Sequence, residues 1–433
     1  MAAVRLLRSR LVGPAPLKLA PDHVFSPFPD RSPSALPLKP NTFALTFVLA
    51  LMTAMGPIAT DIYVPSLPQL AQDFNASTTQ VQWTLSGYLM GYAVSQIFYG
   101  PLSDKLGRKP LLIAGFAIFL VATFASMMAT SMEMLIAARI LQGAGGAGPI
   151  IVVRAIVRDL YEGARAGQQM SVMSSIMGVA PIAGPLVGGV LAVWFGWRAS
   201  FVAMFVIVAA LITIAVLFLP ETLRHKSSAP LSVREILRSF RIVFANPRWR
   251  IYGALNTLGH TGLFTFIAAS PFVLQDLYGL TPLQFGLFFS VCSSAFVLGA
   301  WTGSRLVVRR GLDGTIAIGV ACFLIGGILQ ALGFWLFPGS AITLLIPEMI
   351  YFAGVGFVLP HSIASALSPF PERAGAATSL QGFLQMMFSA CVGLGVSTLL
   401  GSSAVPLVAV TVLLGTSATI LFVATARIRQ RPL

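Results

Sequence analysis

Long apolar runs separated by short polar connections are the dominant pattern of this chain, and they recur from Phe43 to Thr425. Most runs are close to the ~20 residues that a helix needs to cross the hydrocarbon of a bilayer. Lipid offers the backbone no hydrogen-bond partners, so each run must satisfy its own backbone as a helix. The pattern predicts an all-α membrane protein with twelve transmembrane helices. The predicted spans are residues 43–65, 81–101, 110–130, 133–155, 168–193, 199–219, 249–274, 282–305, 314–337, 340–361, 375–398 and 404–426.

A long polar stretch, residues 220–248, divides the spans into two groups of six. The connection GPLSDKLGRKP between spans 2 and 3 has a weaker counterpart, GAWTGSRLVVRRG, between spans 8 and 9. This repeat predicts two parallel halves related about an axis along the membrane normal. The predicted parts are a disordered cytosolic tail (1–41), an N-terminal six-helix half (42–219), a cytosolic linker loop (220–248), a C-terminal six-helix half (249–426) and a second cytosolic tail (427–433).

The amino-acid composition is typical of a membrane protein rather than of a soluble domain. Only 10% of the residues are charged, 56% are hydrophobic, and the mean hydropathy is +0.84. A soluble domain carries about a quarter charged residues. The net charge of +14 would point to nucleic acid in a soluble protein, but 26 of the 28 Lys and Arg residues lie on one side of the predicted membrane. That asymmetry predicts cytoplasmic termini and explains the charge without a nucleic-acid partner.

The first 41 residues are rich in Pro with scattered Arg, and they lack the apolar core and cleavage site of a signal peptide. We expect a solvated, disordered tail that insertion and activity do not need. A misassigned start codon is the alternative explanation.

Signatures of enzyme chemistry are missing from the sequence. Cys292, Cys322 and Cys391 each stand alone in an apolar run, and the four histidines form no HExxH-type cluster. No pair has metal-binding or redox spacing, and no nucleophile–base pair is recognisable. We therefore expect no catalytic residue, no metal site and no cofactor.

The run GPLSDKLGRKP (100–110) combines charges with two glycines. Gly100 permits close approach of helices, and Gly107 permits a sharp turn. Asp104 can accept hydrogen bonds from a neighbouring helix N-terminus or from an arginine. Arg108 and Lys109 complete the pattern. The alternative is a basic loop that only obeys the positive-inside rule.

Arg139 begins the run RILQGAGG inside span 4. An arginine in lipid costs at least about 3 kcal/mol, so Arg139 should face a partner or a water-filled cavity. The alternative is a side chain that reaches the outer surface. The run also matches G-x-G-x-x-G, but no strand precedes it, which argues against a dinucleotide site.

Span 5 contains GVAPIAGPLVGG (178–189). Gly184 and Gly188 form a GxxxG face for close helix packing, and Pro185 weakens the helix locally. Gly178 and Gly189 lie on neighbouring turns of the same span. Generic helix packing is the alternative explanation.

Asp61, in ATDIYVPSLP, lies in a stretch that is almost free of charge from Asn41 to Gln72. Burial penalises the charged form of a carboxylate. An acid near the outer end of span 1 can therefore take up and release a proton as a cavity opens to each side in turn. The alternative is an acid that caps the helix or lies at the interface.

These motifs resemble those of the major facilitator superfamily: its signature loop between spans 2 and 3, its span-4 motif R-x-x-Q-G-x-G, and the span-5 motif of its antiporters. TDIYVPSLPQLAQDF, ASPFVLQDLYGLTPLQFGLFFS and GAATSLQGFLQMM are similar to stretches of the Bcr/CflA-type drug:proton antiporters, the bicyclomycin and chloramphenicol resistance exporters. The resemblance covers roughly residues 42–425.

The resemblance implies a major facilitator fold whose two halves rock about a central site. The loop at 100–110 would be a latch for the outward-open state, and Asp61 would stand where the branch keeps an acid. Some drug:proton antiporters carry a second acid two turns earlier, where this chain has Thr53. Spans 1, 4, 7 and 10 would line the cavity. Its walls would include Tyr63, Arg139, Gln142, Asn256, His260 and Phe264.

Glu348 is the only acid inside a span of the C-terminal half. At ~1.5 Å per residue, Arg139 and Glu348 come to similar depths in spans 4 and 10, which are equivalent in the two halves. We expect them to face each other in the outer part of the cavity, with Asp61 close by. The alternative is a Glu348 that reaches the interface or bonds to a neighbouring helix.

The sequence is thus interpreted as a monomeric proton-coupled antiporter that exports small hydrophobic drug-like compounds across the inner membrane, with the proton gradient as its energy source. Export of a native metabolite, with drug efflux as a side activity, is an open alternative. A membrane-bound enzyme and a non-transporting receptor are weaker alternatives, because catalytic motifs and a large soluble sensor domain are missing from the sequence.

Overall fold

A computed structural model describes residues 38, 42–161, 163–223, 225–226, 232–401 and 403–429. The described part is helical, and a helix covers the greater part of every predicted span. The helices are α1 (Phe43–Asp61), α2 (Leu67–Asp73), α3 (Thr78–Leu106), α4 (Arg108–Met127), α5 (Met132–Leu160), α6 (Gly163–Met177), α7 (Ala180–Phe195), α8 (Arg198–Phe218), α9 (Val233–Ala245), α10 (Pro247–Pro271), α11 (Pro282–Leu336), α12 (Ile342–Leu367), α13 (Ala374–Leu399), α14 (Val405–Ala424) and α15 (Ala426–Arg429).

Spans 5, 8 and 9 do not each correspond to one separate helix. Span 5 is broken between α6 and α7, next to the Gly178 of its glycine motif. The 55-residue α11 contains spans 8 and 9, which meet at a kink where Gly311 has a φ of 69°. A positive φ is accessible to glycine without the steric cost that other residues incur. The prediction of twelve spans in an all-α membrane protein is confirmed.

Ten of the described helices are long and apolar enough to cross a membrane. The kinked α11 is one of these ten although it contains two spans, and α3, which carries span 2, is not among them. Polar residues on α3 explain the difference, since Gln82, Ser86 and Gln96 are buried inside the protein rather than exposed to lipid.

Equivalent helices in the two halves begin in the same way, which supports the internal repeat. Ser77 and Gln80 form a capping box at the start of α3, and Thr281 and Gln284 form one at the start of α11. Each box satisfies backbone N–H groups that the first turn of a helix leaves without partners.

The linker at 220–248 is not only a loop. Residues Val233–Ala245 form helix α9, which the sequence analysis does not predict. Val243 on this helix is buried against α10 and α13, while three arginines of the same helix are exposed. The predicted tail at 1–41 lies outside the described residues except for Leu38, and of the predicted tail at 427–433 only residues 427–429 are described.

The connections α3–α4, α5–α6 and α8–α9 meet at one end of the molecule, which we call the basic face. Arg108 joins them there, because its side chain donates to Asp159 and its backbone N–H donates to Glu221. At the other end, the opposite face, Trp197 donates to Asp73 and Gln275 donates to the Pro65 carbonyl. The second of these bonds joins the two halves.

Candidate functional site

A cavity of about 410 Å³ lies between the two halves. Its wall comes from α1, α3, α5, α6 and α7 of the first half and from α10, α11, α12 and α13 of the second. Most of the lining side chains are apolar or aromatic, which suits hydrophobic ligands of drug size. On the opposite-face side of the cavity, α7 packs closely on the first part of α11.

Asp61 is the carboxylate of this cavity wall: among the described residues no other Asp or Glu lines it. The residue is only 5% exposed, and its carboxylate accepts a hydrogen bond of 3.0 Å from the Thr60 hydroxyl. It occupies the last turn of α1, just before the chain turns through Pro65. The structure thus places Asp61, for which the sequence predicts a role in proton coupling, in the wall of the cavity.

The span-5 glycines pack directly on this end of α1. A Cβ atom added to Gly184 would lie 3.1 Å from the Cβ of Asp61, and one added to Gly188 would lie 1.9 Å from the Ile62 carbonyl oxygen. Only a glycine at position 188 allows the two backbones to come so close.

The same motif also reaches the second half. A Cβ on Gly189 would lie 2.6 Å from the Pro282 carbonyl oxygen, and the Pro185 carbonyl comes within 2.5 Å of a Cβ built on Gly286. Gly178 stands at the break between α6 and α7 and has no such close backbone contact with another helix. The motif therefore joins the acid-bearing end of α1 to the interface between the halves.

Arg139 is fully buried and is held entirely by the N-terminal half. It donates to the Ala59 carbonyl at 3.0 Å, to the Thr84 carbonyl at 3.3 Å and to the Gln142 side chain. Its guanidinium lies over the rings of Tyr63 and Tyr88, at 4.6 and 4.5 Å from their centroids. Such stacking and carbonyl bonds stabilise a buried cation without an acid.

Glu348 is also buried, but on the other side of the interface. Its carboxylate accepts a hydrogen bond of 3.1 Å from the Gln330 side chain of α11. Neither Glu348 nor Arg139 forms an ion pair with any described residue. The predicted pairing of the two is therefore wrong for this structure, and the alternative of a bond to a neighbouring helix is confirmed for Glu348.

Of the six residues predicted to line the cavity, His260 and Phe264 do so, whereas Arg139 lies behind the wall and does not. Tyr63, Gln142 and Asn256 do not. Tyr63 bonds to Thr84, Gln142 donates to Thr123, and Asn256 donates to Ser362 and to the Leu359 carbonyl, so all three stabilise packing inside their own halves.

Several lining residues are missed by the sequence analysis. Tyr88 and Tyr92 of α3 and Met170, Met173 and Met177 of α6 line the cavity. The three methionines follow the i, i+3, i+7 spacing of one helix face, which is the signal that could have identified them.

The predicted latch loop is held within the N-terminal half. Gly107 has a φ of 116°, and a Cβ there would lie 2.5 Å from a Glu221 oxygen. Arg108 pairs with Asp104 and with Asp159. Lys109 donates to the Val216 carbonyl at 2.8 Å. Of the two partners considered for Asp104, the structure shows the arginine.

Gly100 does not permit a close helix contact in this structure. A Cβ built on it has no neighbour within 4 Å, because Gly100 faces a second cavity at the basic face. This second cavity, which we call the vestibule, has a volume of about 550 Å³. The ends of α3 and α5, helix α9 and the start of α13 surround it.

A family model described as Major Facilitator Superfamily matches residues 49–394. The chain belongs to the Major Facilitator Superfamily. Its twelve spans, the cavity between two six-helix halves and the glycine-rich span 5 are therefore those of a multi-pass membrane transporter and not of an enzyme.

Named relatives narrow the family branch. The chain is 32% identical over 341 residues to multidrug resistance protein D of Escherichia coli (strain K12), covering 79% of this chain and 85% of the relative. It is 28% identical over 374 residues to the bicyclomycin resistance protein homolog of Haemophilus influenzae, covering 85% and 92%. It is 27% identical over 341 residues to the chloramphenicol resistance protein of Pseudomonas aeruginosa, covering 78% and 80%.

Solved structures agree on the fold. A POT family transporter in complex with 5-aminolevulinic acid matches with a TM-score of 0.72 at 13% identity, over 92% of this chain and 99% of that chain. A bacterial homolog of the human lysosomal transporter Spinster matches with a TM-score of 0.69 at 15% identity, over 90% and 97%. At such identities the likeness concerns the fold alone.

Proposed function

We propose that this facilitator is a proton-coupled antiporter of the inner membrane that exports hydrophobic drug-like compounds, as a monomer. Relatives named for resistance to several drugs, to bicyclomycin and to chloramphenicol support the substrate class. The excess of basic residues supports a cytoplasmic basic face and cytoplasmic termini.

The observation that carries the proposal is Asp61, a carboxylate in the wall of an otherwise largely apolar cavity. A substrate in the cavity that donates a hydrogen bond to the Asp61 carboxylate favours its charged form, so substrate and proton compete at Asp61 as antiport requires. When the cavity faces the outer side, a proton from there can neutralise Asp61 and weaken any bond between substrate and carboxylate. Reopening to the cytoplasm releases the proton.

The span-5 motif is suited to transmit the state of Asp61 to the interface. Gly184 contacts Asp61, and Gly189 contacts the first turn of α11 in the other half. Arg139 does not line the cavity, but its bond to the Ala59 carbonyl stabilises the last turns of α1, which carry Asp61. Glu348 is a second buried acid for coupling, which protons would reach only when packing around α12 changes.

The loop at 100–110 acts as the latch between conformations. Asp104 and Arg108 hold the basic-face ends of α3, α4 and α5 together, and Lys109 bonds the start of α4 to the end of α8. Closing of the vestibule would bring this loop toward the start of α13. The contact that Asp104 makes there, rather than its exposed pair with Arg108, would stabilise the outward-open state.

The decisive experiment replaces Asp61 with Asn, which keeps the shape and removes the titratable group. In proteoliposomes with an imposed proton gradient, we expect Asp61→Asn to stop uphill export of chloramphenicol. Binding in detergent should stay within about threefold of the original chain. Glu133→Gln, at an exposed acid in the first turn of α5, is the control and should export normally. Undiminished gradient-driven export by Asp61→Asn would assign the coupling to another group.

A further inference from the structure

The central cavity and the vestibule share two lining residues, Arg154 on α5 and Met170 on α6. These two side chains therefore stand at the threshold between the two spaces. Any ligand that moves from the basic face into the central cavity passes them. Arg154 lies about four residues before Arg158, so it is one turn deeper along the same helix.

Like Arg158, Arg154 has no partner among the described residues, but Arg154 also lines the central cavity. Its side chain is exposed, and it forms neither an ion pair nor a hydrogen bond with any described residue. Arg108 pairs with Asp104 and Asp159, and Arg139 bonds to backbone carbonyls and lies over aromatic rings. A guanidinium offers five N–H donors in a fixed fork, and all of those on Arg154 remain available.

The charged groups of the two spaces are arranged asymmetrically. In the central cavity Asp61 lies toward the opposite face, Arg154 lies toward the basic face, and His260 lies on the C-terminal side. In the vestibule the cations Lys105, Arg108 and Arg158 outnumber Asp104 and Glu235. A recess lined mainly by one sign of charge raises the local concentration of ions of the opposite sign.

We propose that Arg154 is the specificity-determining residue for amphiphilic anions, which it binds at the threshold by a bidentate contact with a carboxylate or a similar acidic group. The apolar body of such a substrate then lies on Met170, Met173 and Phe296. This assignment rests on the proposed export function, and it deepens that function by naming the substrate class. The anionic end stays away from the Asp61 carboxylate, because the two negative charges would repel each other.

A pair of probes that differ by one charge tests this assignment. Chloramphenicol hemisuccinate carries a carboxylate, and its methyl ester has nearly the same size without the charge. Binding of both to the full chain in detergent is measured by calorimetry, without any proton gradient. We expect the original chain to prefer the anion, and Arg154→Gln to weaken the anion at least about tenfold while changing the ester less than about threefold.

Two further variants separate charge recognition from a general effect on the fold. Arg154→Lys keeps the charge and should retain most of the preference for the anion. Arg158→Gln removes a cation that lines only the vestibule, and it should leave both affinities within about threefold. Equal losses for both probes in Arg154→Gln, or no loss for either, would overturn the assignment. Because no export is measured, charge-selective binding could stand even if the Asp61 experiment failed.

Discussion

Arg139 and Glu348 are both buried, but their partners belong to different halves of the molecule. The bonds of Arg139 go to α1, α3 and α5, whereas Glu348 bonds to Gln330 on the second part of α11. Two buried ionisable groups without a common partner should act independently.

A double replacement tests this independence. Arg139→Gln removes a cation that bonds to carbonyls and stacks on two rings, which should cost about 2–4 kcal/mol and lower the melting temperature in detergent by several degrees. Glu348→Gln keeps a side chain that can bond to Gln330, so a smaller shift is expected. We predict that the two shifts add within the error of a thermal unfolding measurement. If the double variant melts at a higher temperature than Arg139→Gln alone, the result would support an ion pair between Arg139 and Glu348 in the original chain.

The sequence predicts how deep Arg139 and Glu348 lie in the membrane, but it does not predict the direction in which their side chains point around the helix axis. A residue count gives depth at ~1.5 Å per residue, but the direction of a side chain turns by about 100° at each step. A span that is apolar on nearly all sides carries little signal of which side faces a cavity. The position of Asp61 is more predictable because it is the single charged residue of its span.

Helix α7 contacts α1 on one side and α11 on the other, and its glycines differ in how much space they have. At Gly188 an added Cβ would collide with the Ile62 carbonyl oxygen at 1.9 Å, whereas at Gly184 its nearest atom would be the Asp61 Cβ at 3.1 Å. Backbone cannot move aside as the end of a flexible side chain can.

Gly188→Ala should therefore be much more damaging than Gly184→Ala. We expect Gly188→Ala to cost at least the ~1–3 kcal/mol typical of an overpacked interior, lowering both the yield of folded protein and its melting temperature. Gly184→Ala should cost less. Gly395→Ala on α13 is the control, because a Cβ there meets nothing within 4 Å. Similar melting temperatures for the two α7 variants would show that α7 can move away from α1.

Helix α9 is a short amphipathic helix that the pattern of long apolar runs does not reveal. Its sequence is too basic for a span, so the absence of an apolar run predicts a loop there. Ile236, Phe240 and Val243 nevertheless follow the i, i+4, i+7 spacing of a helix face, and Ser232 caps its first turn. This spacing is visible in the sequence and predicts the helix.

Considered as a whole, the molecule is packed at the opposite face and open at the basic face. Near the middle of the interface the Ser86 hydroxyl donates to the Ala390 carbonyl, and the Gln96 side chain lies against Gly382. Closer to the basic face, α3 and α13 line separate walls of the vestibule. Alternating access requires this gap to close while the α7–α11 contact opens.

Gly100 offers a way to block that closure without disturbing the present structure. A larger side chain on Gly100 would project into empty space here, since a Cβ has no neighbour within 4 Å. It would meet the start of α13, at Ala374 and Gly375, when the vestibule closes. We therefore predict that Gly100→Leu binds chloramphenicol within about threefold of the original affinity and melts at the same temperature, but exports at least about tenfold more slowly.

A matched variant and a second measurement make this prediction specific. Gly395→Leu also adds bulk in open space on a helix of the interface region, but Gly395 lines neither cavity, so it should export normally. With the three native cysteines replaced, Ser379→Cys in the vestibule wall should stay reactive toward a water-soluble maleimide in Gly100→Leu under conditions where the chain with Gly100 closes and becomes protected. Normal export by Gly100→Leu would mean that α3 and α13 never approach at this level, and the closure would have to occur elsewhere along the vestibule.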